Sequence, residues 1–149
     1  MNELINKIIR KIELDSENQH YLRFTTNEGI FIYETEGDCC SESWFADIIG
    51  VQNLLNSKII SVELVEREAI DNDSGYTRYA PKNYNVNDGR GRQDYDSVYA
   101  YKFITNKGYS DIIFRNSSNG YYGGWLNYIT ELPKKKYIKF KEILDDYPN

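Results

Sequence analysis

The single histidine and the two adjacent cysteines are the residues of this chain with the clearest potential for catalysis. Any Ser-His-Asp or Cys-His arrangement would need His20, which follows Asn18 and Gln19 at the edge of a predicted strand. A solvent-exposed histidine is the commoner outcome there. One histidine and the pair Cys39-Cys40 provide none of the usual ligand spacings of a zinc site. We therefore predict no catalytic residue, no bound metal and no cofactor.

The paired cysteines have two interpretations. Adjacent cysteines rarely meet the geometry of a disulfide, so Cys39 and Cys40 are not expected to crosslink the fold. If one of them preceded a helix, the helix terminus would lower the pKa of its thiol and favour nucleophilic chemistry. That chemistry also needs a general base, for which His20 is the candidate. The commoner interpretation, which we favour, is a pair of buried structural thiols.

Two stretches of small and polar residues, Gly37 to Phe45 and Arg115 to Leu126, each contain a tryptophan. One interpretation is a shared polar surface that offers hydrogen bonds beside aromatic rings. In the other, serines, asparagines and glycines satisfy tight turns while Trp44 and Trp125 are buried in the core. The candidate binding residues in these stretches are Asp38, Glu42, Arg115, Asn116, Asn119, Tyr121 and Tyr122.

The segment from Ala69 to Asp96 has few aliphatic residues but many tyrosines and charges. Loops of this length are usually either functional or disordered, and both interpretations stay open. The glycines and arginines of residues 88–92 are not followed by a helical pattern, so they do not predict a phosphate site. This inserted loop (69–96) adds five candidate binding residues: Tyr76, Tyr79, Tyr84, Arg90 and Arg92.

A strand pattern that occurs twice positions these residues. Periodicity predicts strands at Ile8–Leu14, Tyr21–Thr25, Ile30–Glu34, Ile59–Glu66, Tyr99–Thr105 and Tyr109–Arg115. Turns at residues 27–29 and 106–108 have the same Asn-x-Gly pattern and predict two equivalent hairpins. We interpret this as an internal duplication of a three-strand unit, about residues 4–45 and 55–126, with Leu4 aligned to Leu55. The whole chain, 1–149, is expected to be one domain.

Short helices are predicted around these strands. Ser43 to Ile49 follows a candidate N-cap serine, Val51 to Leu55 suggests a helical turn, and Tyr137 to Leu144 has helical spacing after Pro133. The expected fold class is therefore α+β, mostly antiparallel β, with short connecting and C-terminal helices. The expected core consists of Ile8, Ile12, Phe24, Ile32, Ile59, Leu64, Phe103 and Ile112, together with both tryptophans.

Composition restricts the class of partner. The net charge of −5 argues against a general nucleic-acid surface. A local basic tail within residues 133–149 carries Lys134, Lys135, Lys136, Lys139 and Lys141. A solvated helix face is the simpler interpretation, and a basic patch that contacts nucleic acid or an acidic protein is the alternative. Fourteen tyrosines against six phenylalanines suit a sheet-rich fold and also protein interfaces. No apolar run approaches the roughly 18 residues of a membrane span, so we expect no membrane partner and a cytoplasmic location.

The two polar stretches also carry a resemblance. Gly37-Asp38-Cys39-Cys40-Ser41-Glu42-Ser43-Trp44-Phe45 and Arg115-Asn116-Ser117-Ser118-Asn119-Gly120-Tyr121-Tyr122-Gly123-Gly124-Trp125-Leu126 resemble the signatures of a small phage and bacterial family with a domain of unknown function. The resemblance covers about residues 4–126 and implies a small protein of mobile elements, in the host cytoplasm if phage-encoded.

Two functions of different class follow from these observations. The first is a non-catalytic module that binds a protein partner, in the narrowest form an anti-CRISPR-like inhibitor of a host defence system. The second is an enzyme or small-ligand domain that acts at the polar signatures around Asp38 and Cys39 and around Arg115 and Asn116. A flat tyrosine-rich face would favour the first, and a concave pocket at the signatures would favour the second.

Overall fold

The computed structural model of this chain describes residues 1–38, 40–68, 75–79, 90, 95–119 and 123–146. Nearly all regular structure in these residues is β-strand. A 3₁₀ turn (Asn2–Leu4) and one short helix, α1 (Val51–Leu54), are the helical elements of the described residues. The strands are β1 (Ile9–Asp15), β2 (Tyr21–Thr26), β3 (Gly29–Gly37), β4 (Glu42–Ile49), β5 (Ile59–Glu68), β6 (Tyr95–Thr105), β7 (Gly108–Ser118), β8 (Gly124–Ile129) and β9 (Phe140–Glu142).

The strands form two antiparallel sheets that pack around one apolar cluster. The first sheet has the order β8-β3-β2-β1-β9, and the second has the order β4-β7-β6-β5. Both sheets contribute large, fully buried side chains to the cluster, including Phe24 and Tyr33 from the first and Phe45, Phe103 and Phe114 from the second. Because side chains alternate along a strand, every second side chain of the second sheet points away from this cluster. We call this side of the second sheet the outer face.

The two sheets exchange strands. After β3 the chain leaves the first sheet and continues as β4, which pairs with β7 of the second sheet. After β7 it returns as β8, which pairs with β3 of the first sheet. Each sheet is therefore a three-stranded meander, β1–β3 or β5–β7, extended by the strand that follows the other meander, and the first sheet also gains β9 beside β1. Neither sheet is complete without both halves of the chain.

Equivalent hydrogen bonds recur in the two meanders. At the hairpin turns, the side-chain oxygen of Asn27 accepts the N–H of Ile8 at 2.9 Å, and that of Asn106 accepts the N–H of Lys58 at 2.8 Å. Strands β1 and β5, which begin directly after residues 8 and 58, each contain a bulge, at residues 9–11 and 59–61. The backbones of residues 8 and 58 also form an antiparallel bridge to each other.

A second pair of asparagines gives the register between the halves. Asn6 and Asn56 both have left-handed backbones, with φ values of 70° and 56°. Asn6 donates its N–H to the carbonyl of Ile59 at 2.8 Å, and Asn56 donates to Ile9 at 2.7 Å. These reciprocal bonds make Asn6 equivalent to Asn56. In the predicted duplication Leu4 is aligned with Leu55, whereas these contacts match Asn6 with Asn56 and thus place Leu4 beside Leu54 in the comparison.

The predicted α+β class is wrong, because the structure is β-rich and the predicted helix at 43–49 is strand β4. The residues from Ser43 to Ile48 are all buried, so this strand lacks the alternation that identifies a half-exposed strand. One side of β4 faces the core through Phe45 and Ile48. The other side is covered by residues 75–79, whose Arg78 N–H donates to the carbonyl of Ala46 at 2.9 Å.

The predicted C-terminal helix at 137–144 is also wrong. Residues 140–142 form β9, which pairs with β1 from Glu13 to Asp15, and Ile143 donates its N–H to Ile12 at 2.8 Å. The buried side chain of Ile143 joins the apolar cluster. Pairing with the free edge of β1 and burial of one aliphatic side chain therefore override the helical spacing of this segment.

The six predicted strands are confirmed, and most of the predicted core is buried. Leu64, however, is 51% exposed, because it lies on β5 at the edge of the second sheet. Ile8 is half-buried, and Ile9 takes the core position of that strand. Trp44 is fully buried beneath residues 75–79, whereas Trp125 is 43% exposed on β8, so its predicted burial is wrong.

The unequal burial of the two tryptophans predicts unequal costs of truncation. Trp44→Ala should lower the free energy of unfolding by about 3–5 kcal/mol, the usual cost of removing a fully buried aromatic side chain. Trp125→Ala should cost about 1 kcal/mol, because a substantial part of the ring is in contact with water in the folded state. Urea unfolding followed by circular dichroism measures both values. Equal losses in the two variants would contradict the described packing.

Candidate binding surface

The two polar signatures meet where the strands exchange. Asn116 on β7 is fully buried, and its amide nitrogen donates to the hydroxyl of Ser43 on β4 at 2.9 Å. The same nitrogen lies 3.2 Å from the hydroxyl of Ser41. Ser43 in turn donates to the carbonyl of Glu36 at 2.8 Å, which ties β4 back to β3. We call this group, Ser41, Ser43 and Asn116, the crossover cluster.

Two glycines allow the backbones of β3 and β8 to lie close to the crossover cluster. Gly37 on β3 lies opposite Gly124 on β8, directly beside the crossover cluster. A Cβ atom at Gly124 would lie 2.7 Å from the amide nitrogen of Asn116, and one at Gly37 would lie 3.1 Å from the same atom. Asp38 closes the crossover, since its carboxylate accepts the N–H of Gly123 at 3.3 Å. The signatures thus satisfy backbone and side-chain groups of the fold instead of lining an open pocket.

A second polar group surrounds Arg90. Its guanidinium is buried, lies 4.9 Å from the ring of Trp44, and donates to the carboxylate of Glu42 at 2.8 Å. It also donates to the side-chain oxygen of Gln19 at 2.7 Å. A buried guanidinium needs such partners, because leaving it unpaired away from water is costly. Arg90 therefore attaches the inserted loop to β4 and to the turn before β2.

Glu42 connects this buried group to solvent. Its carboxylate is 3.9 Å from the Nε2 atom of His20, and both side chains are 38% exposed. Burial opposes ionisation of Glu42, but the nearby imidazole of His20 and the hydrogen bond from Arg90 outweigh it and hold the pKa of Glu42 below its ordinary value. The carboxylate is thus ionised at neutral pH and balances the buried charge of Arg90.

The outer face of the second sheet is covered on one side by residues 75–79. The indole N–H of Trp44 donates to the carbonyl of Tyr76 at 3.0 Å, and the N–H of Ile48 donates to the hydroxyl of Tyr79 at 3.1 Å. Arg78 forms an ion pair with the buried Asp47 at 2.8 Å. These described parts of the inserted loop are packed against β4.

Arg115 and Asp96 form a buried ion pair beneath the same cover. The Nη1 atom of Arg115 is 3.4 Å from the Oδ2 atom of Asp96, and both side chains are almost fully buried. The Oδ2 atom also accepts the N–H of Gly75 at 2.6 Å, and the guanidinium of Arg115 lies 5.5 Å from the ring of Tyr76. Arg115 is therefore inaccessible to a partner and serves to fix the loop.

Other predicted site residues lie elsewhere. Tyr84, Arg92, Tyr121, Tyr122 and Cys39 fall outside the described residues, and Asn119 is exposed after β7. The thiol of Cys40 is exposed, so the prediction of a buried thiol is wrong at that position. Four lysines of the basic tail are exposed, namely Lys134, Lys135, Lys136 and Lys139, while Lys141 is half-buried beside β1.

None of the described residues covers the rest of the outer face, which contains a groove of about 340 Å³. Its apolar residues are unusually accessible: Tyr109 is 75% exposed, Ile104 is 42% exposed and Ile49 is 41% exposed. Lys102 and Asp111 form a half-buried ion pair of 3.7 Å within it. We call this surface the outer groove; its lining residues are Ile49, Ser61, Glu63, Lys102, Phe103, Ile104, Tyr109, Ser110 and Asp111.

Sequence reasoning missed the outer groove, although a signal for it exists. In the predicted hairpin, Phe103 and Ile112 were assigned to the core, so alternation places Ile104 and Tyr109 on the opposite face. Polar residues normally occupy that face of a two-layer sheet. Large apolar residues at outward positions of a half-exposed sheet therefore indicate a contact surface.

Comparison with known proteins places the chain among uncharacterised relatives. Residues 2–127 match the family model described as a domain of unknown function, DUF7448. This protein belongs to the DUF7448 family. The match ends after the start of β8, so β9 and the lysine-rich tail lie beyond it. The predicted membership of a family of unknown function is thus confirmed in its general form.

An uncharacterised protein, L278 of Acanthamoeba polyphaga mimivirus, is 30% identical to this DUF7448 protein over 129 residues. The alignment covers 79% of this chain and 83% of the mimivirus protein. The relative comes from a giant virus, whereas the resemblance in the signatures implied phage and bacteria. No solved structure matches the chain.

Two kinds of feature are absent from the described part of this DUF7448 protein. No helix there has the length and apolar character needed to cross a membrane. In the same residues, no group of three or more histidines, cysteines or carboxylates is arranged to hold a metal ion.

The close packing at the crossover cluster predicts a position-specific effect of an added methyl group. Gly124→Ala should lower the free energy of unfolding by about 1–3 kcal/mol, because its Cβ would overlap Ser43 and Asn116. Gly123→Ala is the matched control, since the nearest described atom to its Cβ, the hydroxyl oxygen of Tyr99, is 3.9 Å away. Thermal and urea unfolding compare the two. A control as unstable as Gly124→Ala would contradict the assigned packing.

The contacts of Glu42 predict a pH-dependent loss of stability. Because the pKa of Glu42 is held below its ordinary value of 4.5, its ionised form contributes stability above that pH. This contribution disappears as the pH falls through the folded-state pKa. Glu42→Gln should therefore destabilise the protein at pH 7 and have a smaller effect at pH 4 and below. The exposed Glu17→Gln is the control, and a Glu42→Gln effect that is constant with pH would contradict the assignment.

Proposed function

We propose that this DUF7448 protein is a non-catalytic protein-binding module and that the outer groove is its binding site. The supporting observation is the exposure of Ile49, Ile104 and Tyr109 around one groove on the outer face. Contiguous exposed apolar surface commonly marks an interaction site. Tyrosine is also enriched at the centres of protein interfaces, since its ring buries a large area and its hydroxyl can stay hydrogen-bonded.

The groove has the chemistry of a site for side chains of a protein partner. A volume of about 340 Å³ accommodates one or two large side chains. The apolar contacts lie beside Lys102, Asp111 and Glu63, which can form hydrogen bonds at the rim. A partner that inserts an apolar or aromatic side chain and places polar groups around it would match this pattern.

The alternative function, catalysis or small-ligand binding at the polar signatures, has less support. The amide nitrogen of Asn116 is engaged by two serines, and Arg115 is buried in an ion pair with Asp96. Glycines 37 and 124 leave no open space beside Asn116. These contacts support a structural role of the signatures and direct the binding proposal to the outer groove instead.

The internal duplication is part of our proposal on the origin of this surface. The reciprocal bonds of Asn6 and Asn56, and the equivalent turn contacts of Asn27 and Asn106, support descent of both meanders from one unit. Insertion of the loop into the second unit would then have produced an outer face that is covered on one side only. A cytoplasmic location and a host-defence target remain predictions within this proposal.

A comparison of captured proteins tests the proposal. Tagged wild-type protein and Ile104→Asp are incubated with lysate of the cells in which the protein acts, and bound proteins are quantified by mass spectrometry. Ile104 is partly exposed, so the aspartate should leave the fold intact while placing a charge in the apolar part of the groove. We expect at least a tenfold loss of the specific partner.

Tyr137→Ala is the matched control, because Tyr137 is 91% exposed and does not line the outer groove. A partner captured by wild type and by Tyr137→Ala, but lost with Ile104→Asp, would support the proposal. Equal capture by all three proteins would show that the partner binds at another surface. Absence of any protein enriched over an unrelated acidic bait would contradict the binding function.

A further inference from the structure

Strand β5 is the free edge of the second sheet. It pairs with β6 along its length, from Ile59 to Glu68. On its other side, the N-terminal segment forms backbone hydrogen bonds with the first residue of the strand, since Ile59 exchanges hydrogen bonds with Asn6 and Lys7. Among the described residues, no strand pairs with this side of β5 beyond Ile59. Its outward backbone groups can therefore pair with another strand.

This edge lacks most of the features that normally prevent such pairing. It is ten residues long and contains neither proline nor lysine, although four of its residues, Glu63, Glu66, Arg67 and Glu68, are charged. Its single bulge lies at its start, at residues 59–61. Two aliphatic side chains are exposed along it, Ile60 at 53% and Leu64 at 51%. Burial of these side chains would favour association through the edge.

The remaining edges are less suited to pairing. β9 has three residues, and the outer side of β4 already bonds to Gln19 and Arg78 through Phe45 and Ala46. β8 is an open edge of six residues and has no charged side chain to specify a register. Length and charge pattern both favour β5.

We propose that two copies of this chain pair through β5 in an antiparallel, two-fold symmetric arrangement. The charges of the strand are complementary to themselves in one register. When Val65 of one copy faces Val65 of the other, Glu63 of each copy lies opposite Arg67 of the second copy. Both residues are exposed and point to the outer face, where Glu63 lies opposite Lys102 and Arg67 opposite Val98 of β6. Two equivalent ion pairs thus flank the axis.

The neighbouring symmetric register lacks these pairs. If Leu64 faced Leu64, Glu63 would lie opposite Val65 and no ion pair would form across the axis. Arg67 lies 3.6 Å from Asp111 of β7 within its own chain, so in the dimer it would exchange this acidic partner for Glu63 of the second copy. The charge pattern therefore selects the register centred on Val65. In this arrangement the second sheets of the two copies join into one eight-stranded sheet, with one outer groove on each side of the axis.

Charge exchange tests the register directly. Sedimentation equilibrium at low salt measures the dimer dissociation constant of wild type, Glu63→Arg, Arg67→Glu and the double variant. Each single reversal replaces two attractive contacts with two repulsive ones, so we expect about tenfold weaker dimerisation. The double variant restores opposite charges across the axis and should recover wild-type affinity. Trp125→Lys on the β8 edge is the control and should not change dimerisation.

A second measurement needs no variant. Amide hydrogen exchange of residues 61–67 in wild-type protein should slow as protein concentration rises, while exchange in β8 stays constant. A wild-type protein that remains monomeric at every concentration would overturn the inference, as would a double variant that fails to recover. Protection of β8 in place of β5 would assign the interface to the other edge. These readouts require no partner, so their failure is distinguishable from failure of the proposed binding function.

Discussion

The exchange of strands between the two sheets is the constraint on which the rest of the structure depends. The segment that passes from the first sheet to the second, between β3 and β4, lies close to the segment that returns between β7 and β8. Here the two passages meet at Asn116, whose amide bonds to hydroxyls of the opposite passage, and glycines 37 and 124 provide the space. The polar signatures that suggest a ligand site by composition are explained by this requirement. Their unusual content of glycine, serine and asparagine serves the crossing of backbones.

The outer side of β4 needs contacts from the inserted loop. Because this strand lies at the border of the second sheet, its outer side would expose Trp44 and Asp47 if nothing covered it. Residues 75–79 and Arg90 cover this side and supply partners to Trp44, Asp47 and Glu42. These described parts of the loop do not extend over the outer groove. One side of the sheet face is thus covered by charged and aromatic contacts, and Ile104 and Tyr109 are exposed on the other side.

Local patterns predicted the meanders well because hairpins are local structures. Alternation and Asn-x-Gly turns identify β2–β3 and β6–β7 without knowledge of the fold, and the six predicted strands are present. The failures concern residues whose conformation is decided by distant partners. Strand β4 is buried on both sides and thus has no periodicity, and β9 forms because β1 offers an open edge. Trp125 resembles Trp44 in its sequence setting, yet no described segment covers β8 as residues 75–79 cover β4.

Strand order also has a consequence for synthesis in the cell. The first sheet begins with β1–β3 but is completed only by β8 and β9, which are the last strands along the chain. While a ribosome makes the intervening residues, the early meander has two unpaired edges and an apolar face without its opposing layer. Contacts between such distant segments form slowly, and exposed edges of this kind are substrates for chaperones and for aggregation. Production of this protein should therefore depend on chaperone supply and growth temperature more strongly than its modest size suggests.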